Sequence, residues 1–222
     1  MKKCIVTFAN GNFKRFKKRN TDSFFGIDYL VFNNVNEIGA PDHKVAPYAF
    51  KAYCIEEAIK RGYTHILWCD SPIYATQSLD AVFDYIDKHG YLFFDNIGHG
   101  LGKWTSDKCL DYFDISRPDS FKIKMIMACC MGFKYDHPII LDYILQCKNK
   151  TIIAGAWNNH EKQVSRHERC KGHRHDQSII SCLIHNNQLD ILTGHETFFA
   201  YQQHKEVFDF ADSVCLISDS KL

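Results

Sequence analysis

Residues 47–72, PYAFKAYCIEEAIKRGYTHILWCDSP, place a helix, a strand and a turn in immediate succession. Pro47 stands near the start and Gly62 past the end of a stretch with Ala49, Ala52, Tyr53, Ile55 and Ile59 on apolar rows. Proline suits a first helical turn, where its missing N–H would have had no partner, and glycine ends helices by reaching left-handed backbone. HILWCD (residues 65–70) follows at once as a short apolar run. A run of that length after a helix stop reads as a buried strand. A helix feeding directly into a buried strand is the repeating unit of a parallel α/β sheet.

The flanking sequence continues the alternation. Upstream, CIVTFA (residues 4–9) reads as a buried strand opening at the turn pair Asn10-Gly11, and DYLVFN (residues 28–33) as a second strand. Downstream, LDAVFDYIDKHG (residues 79–90) reads as a helix and YLFFDN (residues 91–96) as a strand. IMACCMGFKY (residues 126–135) reads as a central strand and HPIILDYILQCKN (residues 137–149) as a helix. Residues 155–174 lack periodicity and are predicted as a loop; a helix then begins near Asp176, and QLDIL (residues 188–192) forms a late strand. The order predicts an α/β fold, a mostly parallel central sheet with helices on both faces. The 222 residues make one domain, residues 1–222.

Composition excludes several classes. Apolar residues are 45% and charged residues 24%, with 27 Lys+Arg against 26 Asp+Glu, so the chain is neither disordered nor a strong polyelectrolyte. The ten cysteines contain no C-x-x-C pair and, Cys170 aside, are scattered at irregular spacings through largely apolar segments, which reads as buried thiols in a reducing compartment. With no N-terminal apolar leader and no 18-residue apolar run, the expectation is a cytoplasmic protein without a membrane span. There is no P-loop and no serine nucleophile elbow. GHGLG (residues 98–102) does not fit a dinucleotide loop and is predicted as a flexible surface loop over the site.

Three segments carry candidate chemistry. Asp70 ends a buried strand, where α/β sheets bind ligands, and an acid there suits a divalent cation or, more simply, caps the turn before Pro72. GHRHDQSIISCLIHN (residues 172–186) gathers two His, Arg174, Asp176 and Gln177 at a helix N-terminus, whose free N–H groups favour an anion, either a phosphate or the Asp176 carboxylate itself. A plain N-cap needs only one of those groups. YQQHKEVF (residues 201–208) offers His204 and Lys205, a metal ligand and a phosphate-binding ammonium or an ordinary surface pair.

In this order, VTFANG, YAFKAYCIEEAIKRGYTHILWCDS, ACCMGF, RHDQSII and QQHK resemble the GT-A type nucleotide-sugar glycosyltransferases, in particular the single-domain enzymes of large algal (chlorella) viruses. The likeness extends more loosely to the glycogenin and galactosyltransferase family. It implies that Thr7, Phe8 and Ala9 line a uridine pocket through backbone groups, and that Lys51 faces the donor. Asp70 matches the first carboxylate of the family's D-x-D metal motif, whose second position is Pro72 here. Asp176 and Gln177 match an Asp-Gln pair that contacts the transferred sugar, with Asp176 near the anomeric carbon; Arg174 joins the donor-binding set. His204 would complete the metal shell and Lys205 touch a phosphate.

The implied activity is transfer of a sugar from a UDP-sugar to a glycan or other hydroxyl acceptor, dependent on Mn²⁺ or Mg²⁺, with retention, in the host-cell cytoplasm if the protein is viral. Pro72 motivates an alternative, a catalytically inactive nucleotide-sugar-binding module.

Other readings compete locally. His167, Cys170, His173 and His175 raise a zinc site, against which stand a single Cys, no paired spacing and basic surroundings. FKRFKKR (residues 13–19) holds five Lys/Arg in six positions, yet a solvated face fits better than nucleic acid because the net charge is +1. Trp104 either stacks on an acceptor sugar or anchors its own loop.

Overall fold

The computed structural model describes residues 1–155, 164–205 and 210–219. Its strands are β1 (Lys3–Phe8), β2 (Asp28–Phe32), β3 (His65–Cys69), β4 (Ile73–Ala75), β5 (Tyr91–Leu92), β6 (Asp95–Gly100), β7 (Lys124–Ile126), β8 (Cys130–Lys134), β9 (Phe199–Tyr201) and β10 (Leu216–Ser218). Its α-helices are α1 (Lys17–Ser23), α2 (Phe50–Lys60), α3 (Asp80–His89), α4 (Asp107–Tyr112), α5 (Arg117–Ser120), α6 (Pro138–Lys148), α7 (Lys150–Ala154) and α8 (His175–Asn186).

The central sheet has the order β2-β1-β3-β8-β5. β1 pairs in parallel with β2 and β3, while β8 is antiparallel to both β3 and β5, so β8 alone runs against the rest. Side chains alternate across this sheet as a period of two requires. Cys4, Val6, Ile66 and Trp68 enter the core under α2, α6 and α8; Ile5, Leu67 and Cys69 enter the core under α3. Gly132 in β8 permits the second packing, since a Cβ there would lie 2.6 Å from Ile86 Cδ1 of α3. Two smaller sheets, β4-β10-β9 and the ribbon β6-β7, flank the carboxyl end of β3.

The helices and strands read from periodicity are present, with four local differences. YLFFDN splits into β5 and β6, which belong to different sheets. IMACCMGFKY splits at Met127–Cys129 into β7 and β8, and the break opens onto the candidate site. QLDIL forms one bridge, Phe94 to Leu192, rather than a strand. Gln188 there has left-handed backbone at φ 52°, and Leu192 alone exchanges hydrogen bonds with Phe93 and Asp95. GHGLG is the end of β6 plus a 3-10 turn with Leu101 fully buried, not a flexible loop. Of the predicted loop at residues 155–174, Gly155 and residues 164–174 have no regular structure; residues 156–163 and 206–208 lie outside the described residues.

Candidate active site

A cleft of about 430 Å³ opens where the carboxyl end of β3, the β7–β8 break and the N-terminus of α8 converge. Lys51, from the first turn of α2, forms its floor. The side chain is 4% exposed, and its Nζ lies 3.1 Å from Asp176 Oδ2 and 3.3 Å from Asp70 Oδ1. Nζ also donates to the Ala128 carbonyl at 2.7 Å. Asp70 Oδ1 also accepts a hydrogen bond from Trp68 Nε1 at 2.8 Å, so the residue two places earlier, on β3, aims this carboxylate. Asp70 remains partly open, at 37% side-chain exposure, while Asp176 is 4% exposed.

Three charges in so dry a place must hold one another. Burial disfavours the Lys51 ammonium, but the Asp176 and Asp70 carboxylates together outweigh it and hold Lys51 firmly protonated. Asp176 carries the opposite strain. Burial pushes its carboxyl above the usual range, Lys51 pulls it back and Asp70 adds repulsion. The Lys51–Asp176 contact is close but poorly aligned, leaving Asp176 Oδ2 a buried oxygen held by charge without a hydrogen bond.

The two flanking histidines are fixed by main chain. α7 ends at Gly155 in left-handed backbone, and its last carbonyls need partners from outside the helix. His173 Nε2 meets the Ile152 carbonyl at 2.9 Å and His175 Nδ1 the Ile153 carbonyl at 2.7 Å. His173 Nδ1 accepts the Ser106 N–H at 3.2 Å, so its ring is neutral with the proton on Nε2. Burial, with the neighbouring His175, lowers His173 from 6.5 to about 3.

A pH effect on stability follows. The unfolded chain takes up a proton below pH ~6.5 that folded His173 refuses until far lower pH, so its contribution is complete above that point and is lost on acidification. Because the ring is partly exposed, the expected loss between pH 7 and pH 5 is on the order of 1–2 kcal/mol. Urea melts at the two pH values measure it; an unaltered slope in His173→Gln would assign the effect elsewhere.

Arg174 lines the cleft and stacks its guanidinium over the Trp104 ring at 4.5 Å. It approaches Gln177 Oε1 and His99 Nε2, both at 3.4 Å, and has no carboxylate partner among the described residues. Trp104 therefore anchors the arginine, and its carbonyl accepts from Arg174 N and Ser178 Oγ. Gln177 donates to the Ile126 carbonyl at 2.6 Å, which ties α8 to β7.

The cleft thus brings together Lys51, Asp70, Arg174, Asp176 and Gln177. Thr7 and Phe8 end β1 and Ala9 follows it, beside the cleft without lining it, linked through Ser71 Oγ, which donates to the Phe8 carbonyl at 3.2 Å. His204 packs against the cleft-lining Tyr201 with centroids 5.3 Å apart, and Lys205 is exposed; neither lines the cleft. Sequence reading missed Tyr48, Cys129 and Tyr201, whose Oη lies 3.1 Å from Cys129 Sγ. The adjacent Cys129-Cys130 pair in an apolar run was the only signal for Cys129.

Among the described residues no three His, Cys, Asp or Glu side chains are grouped to hold a metal. Of the residues that raised a zinc site, His167 accepts the Arg169 N–H, Cys170 meets the Thr105 and Gly172 carbonyls, and His173 and His175 are tied as above. Nor is any helix of the described residues long and apolar enough to cross a membrane.

No family model and no curated protein matches the sequence. Solved structures do match. A glycosyltransferase involved in glycosylation of the major capsid of PBCV-1 superposes with TM-score 0.55 at 12% identity, covering 99% of this chain and 94% of that one. Mouse xyloside xylosyltransferase 1 gives 0.52 at 9% identity, covering 99% and 98%. The bifunctional glycosyltransferase WbbM gives 0.57 at 10% identity, with 99% of this chain on 46% of that one. With the strand order and the position of the cleft, these likenesses show that the chain has the GT-A type glycosyltransferase fold.

Proposed function

We propose that the cleft binds a UDP-sugar and transfers its sugar to a hydroxyl of a glycan acceptor. The observation that carries this reading is the Lys51 ammonium clamped between Asp70 at the end of β3 and Asp176 at the start of α8. Lys51 balances only one of the two carboxylates, and Arg174 the other, so these groups sum to zero before any donor arrives. A nucleoside diphosphate adds negative charge that this cleft does not offset, and a divalent cation supplies the difference.

The residues fit such a cation only in part. Asp70 Oδ2 has no hydrogen-bond partner among the described residues, which leaves one carboxylate oxygen to offer. Mn²⁺ or Mg²⁺ would be held by Asp70, with His204 as the proposed second protein ligand, and phosphate and water oxygens for the remaining positions. When bound, the cation acts as a Lewis acid for the departing diphosphate. Arg174 holds phosphate or sugar oxygens from the α8 side, with Lys205 added from the C-terminal turn, and Thr7, Phe8 and Ala9 frame the nucleoside. Asp176 stands in low dielectric, where a carboxylate stabilises positive charge developing at the anomeric carbon. Used in that way it does not activate the acceptor, which goes with retention. Gln177 keeps Asp176 and Arg174 in place through β7.

Calorimetry of UDP with and without Mn²⁺ tests this. The expected result is Mn²⁺-dependent binding, weakened at least about tenfold in Asp70→Ala. Absence of UDP binding in both conditions overturns the reading. Pro72 favours a second one, an inactive nucleotide-sugar-binding module, which predicts UDP binding with neither hydrolysis nor transfer.

A further inference from the structure

Two residues at the cleft combine side chains with left-handed backbone, Tyr48 at φ 62° and His175 at φ 47°. Their rings stack with centroids 5.7 Å apart and 26° between planes. Strained non-glycine backbone costs on the order of 1–3 kcal/mol per residue and gathers at functional sites. Glycine would take either position without that cost.

The His175 ring has a determined polarity. The Ile153 carbonyl can only accept, so Nδ1, 2.7 Å away, must carry the hydrogen. The neutral ring then presents its lone pair on Nε2, which has no partner among the described residues. Burial lowers the ring's affinity for a second proton, with Asp176 opposing and His43 reinforcing that effect. In the next residue, Asp176 Oδ2 is enclosed and lies 3.1 Å from the Lys51 ammonium, so that oxygen is already held by charge. His175 Nε2 is therefore the acceptor left open at this wall of the cleft, and the group that satisfies it is a donor of an O–H hydrogen.

We propose that His175 Nε2 accepts a hydrogen bond from a hydroxyl of the transferred sugar, beside Asp176, and so selects donors that carry that hydroxyl. The proposal rests on the UDP-sugar reading and adds a specificity-determining residue to it. A phosphate or carboxylate at this point would meet the Nε2 lone pair beside the Asp176 carboxylate and be repelled, which places the sugar here and the diphosphate nearer Asp70 and Arg174.

The test is His175→Asn. Asparagine tolerates left-handed backbone, and its Nδ2 can still donate to the Ile153 carbonyl, but nothing in it replaces Nε2. With Mn²⁺ present, UDP affinity is expected to stay within about twofold of wild type. Affinity for whichever of UDP-glucose and UDP-galactose binds wild type more tightly falls about tenfold, the worth of one hydrogen bond. In wild type, monodeoxy versions of that donor show the same loss at one position only, and His175→Asn is indifferent to that deletion. Unchanged hexose-donor affinity in the variant, or an equal loss of UDP, overturns the proposal. Should the variant not fold, a wild type indifferent to every monodeoxy donor overturns it as well. Failure of wild type to bind UDP at all defeats the UDP-sugar reading first, and that control separates the two.

Discussion

Lys51→Met is expected to lower the thermal midpoint by about 10 °C, the largest stability effect of any single change at the cleft. Removing one partner of a buried ion pair costs about 3–5 kcal/mol, because the remaining charge has neither water nor counter-charge. Most of the loss runs through Asp176, whose side chain is 4% exposed, since Asp70 at 37% is still reached by solvent. A chain of this size shifts by about 2–4 °C per kcal/mol, which gives the stated midpoint change. The Ala128 carbonyl loses its donor in the same step. Combining Lys51→Met with Asp176→Asn should recover part of the midpoint, because the stranded carboxylate is then gone. A double variant no more stable than Lys51→Met alone would place the effect in lost packing.

Asp176→Asn is expected to reduce transfer by about 10²–10³-fold, the usual size for losing one charge aimed at a developing charge. UDP binding should change by less than about threefold, because the donor's phosphates are held by other groups. The comparison is decisive since asparagine is nearly isosteric and keeps the helix start intact. Equal losses in UDP affinity and in transfer would reduce Asp176 to a structural cap. A transfer rate within tenfold of wild type would remove it from the chemistry.

Both variants touch residues that were legible before any coordinates. Asp70 was visible as an acid terminating an apolar strand, and Asp176 as an acid opening an apolar helix, because both periodicities are strong. Lys51 was visible only through family likeness, since a lysine on a helix normally reads as solvated. What stayed hidden was set by main chain rather than side-chain pattern. The apolar run through Ile126 and Cys130 gives no sign that the strand breaks at Met127–Cys129, yet that break leaves the Ala128 carbonyl to Lys51, while the Met127 N–H still donates to Phe94 and the Cys129 carbonyl still accepts from Asp70. Likewise His173 and His175 suggested metal ligands, and only the carbonyls of Ile152 and Ile153 settle which nitrogens carry hydrogen. The late strand at residues 188–192 reduced to one bridge for a similar reason, a left-handed residue that composition did not reveal.

The Lys51 clamp also has a place in the order of folding. Its anchor at Ala128 lies 77 residues away along the chain, and Asp176 is more distant still. Contacts of that span close only after most of the loop entropy has been surrendered, so a partly folded chain holds the three charges apart in water. An ion pair of that span is expected to form after the rate-limiting step, which folding and unfolding rates of Lys51→Met measured against denaturant would check. Its loss should accelerate unfolding while leaving the refolding rate nearly untouched.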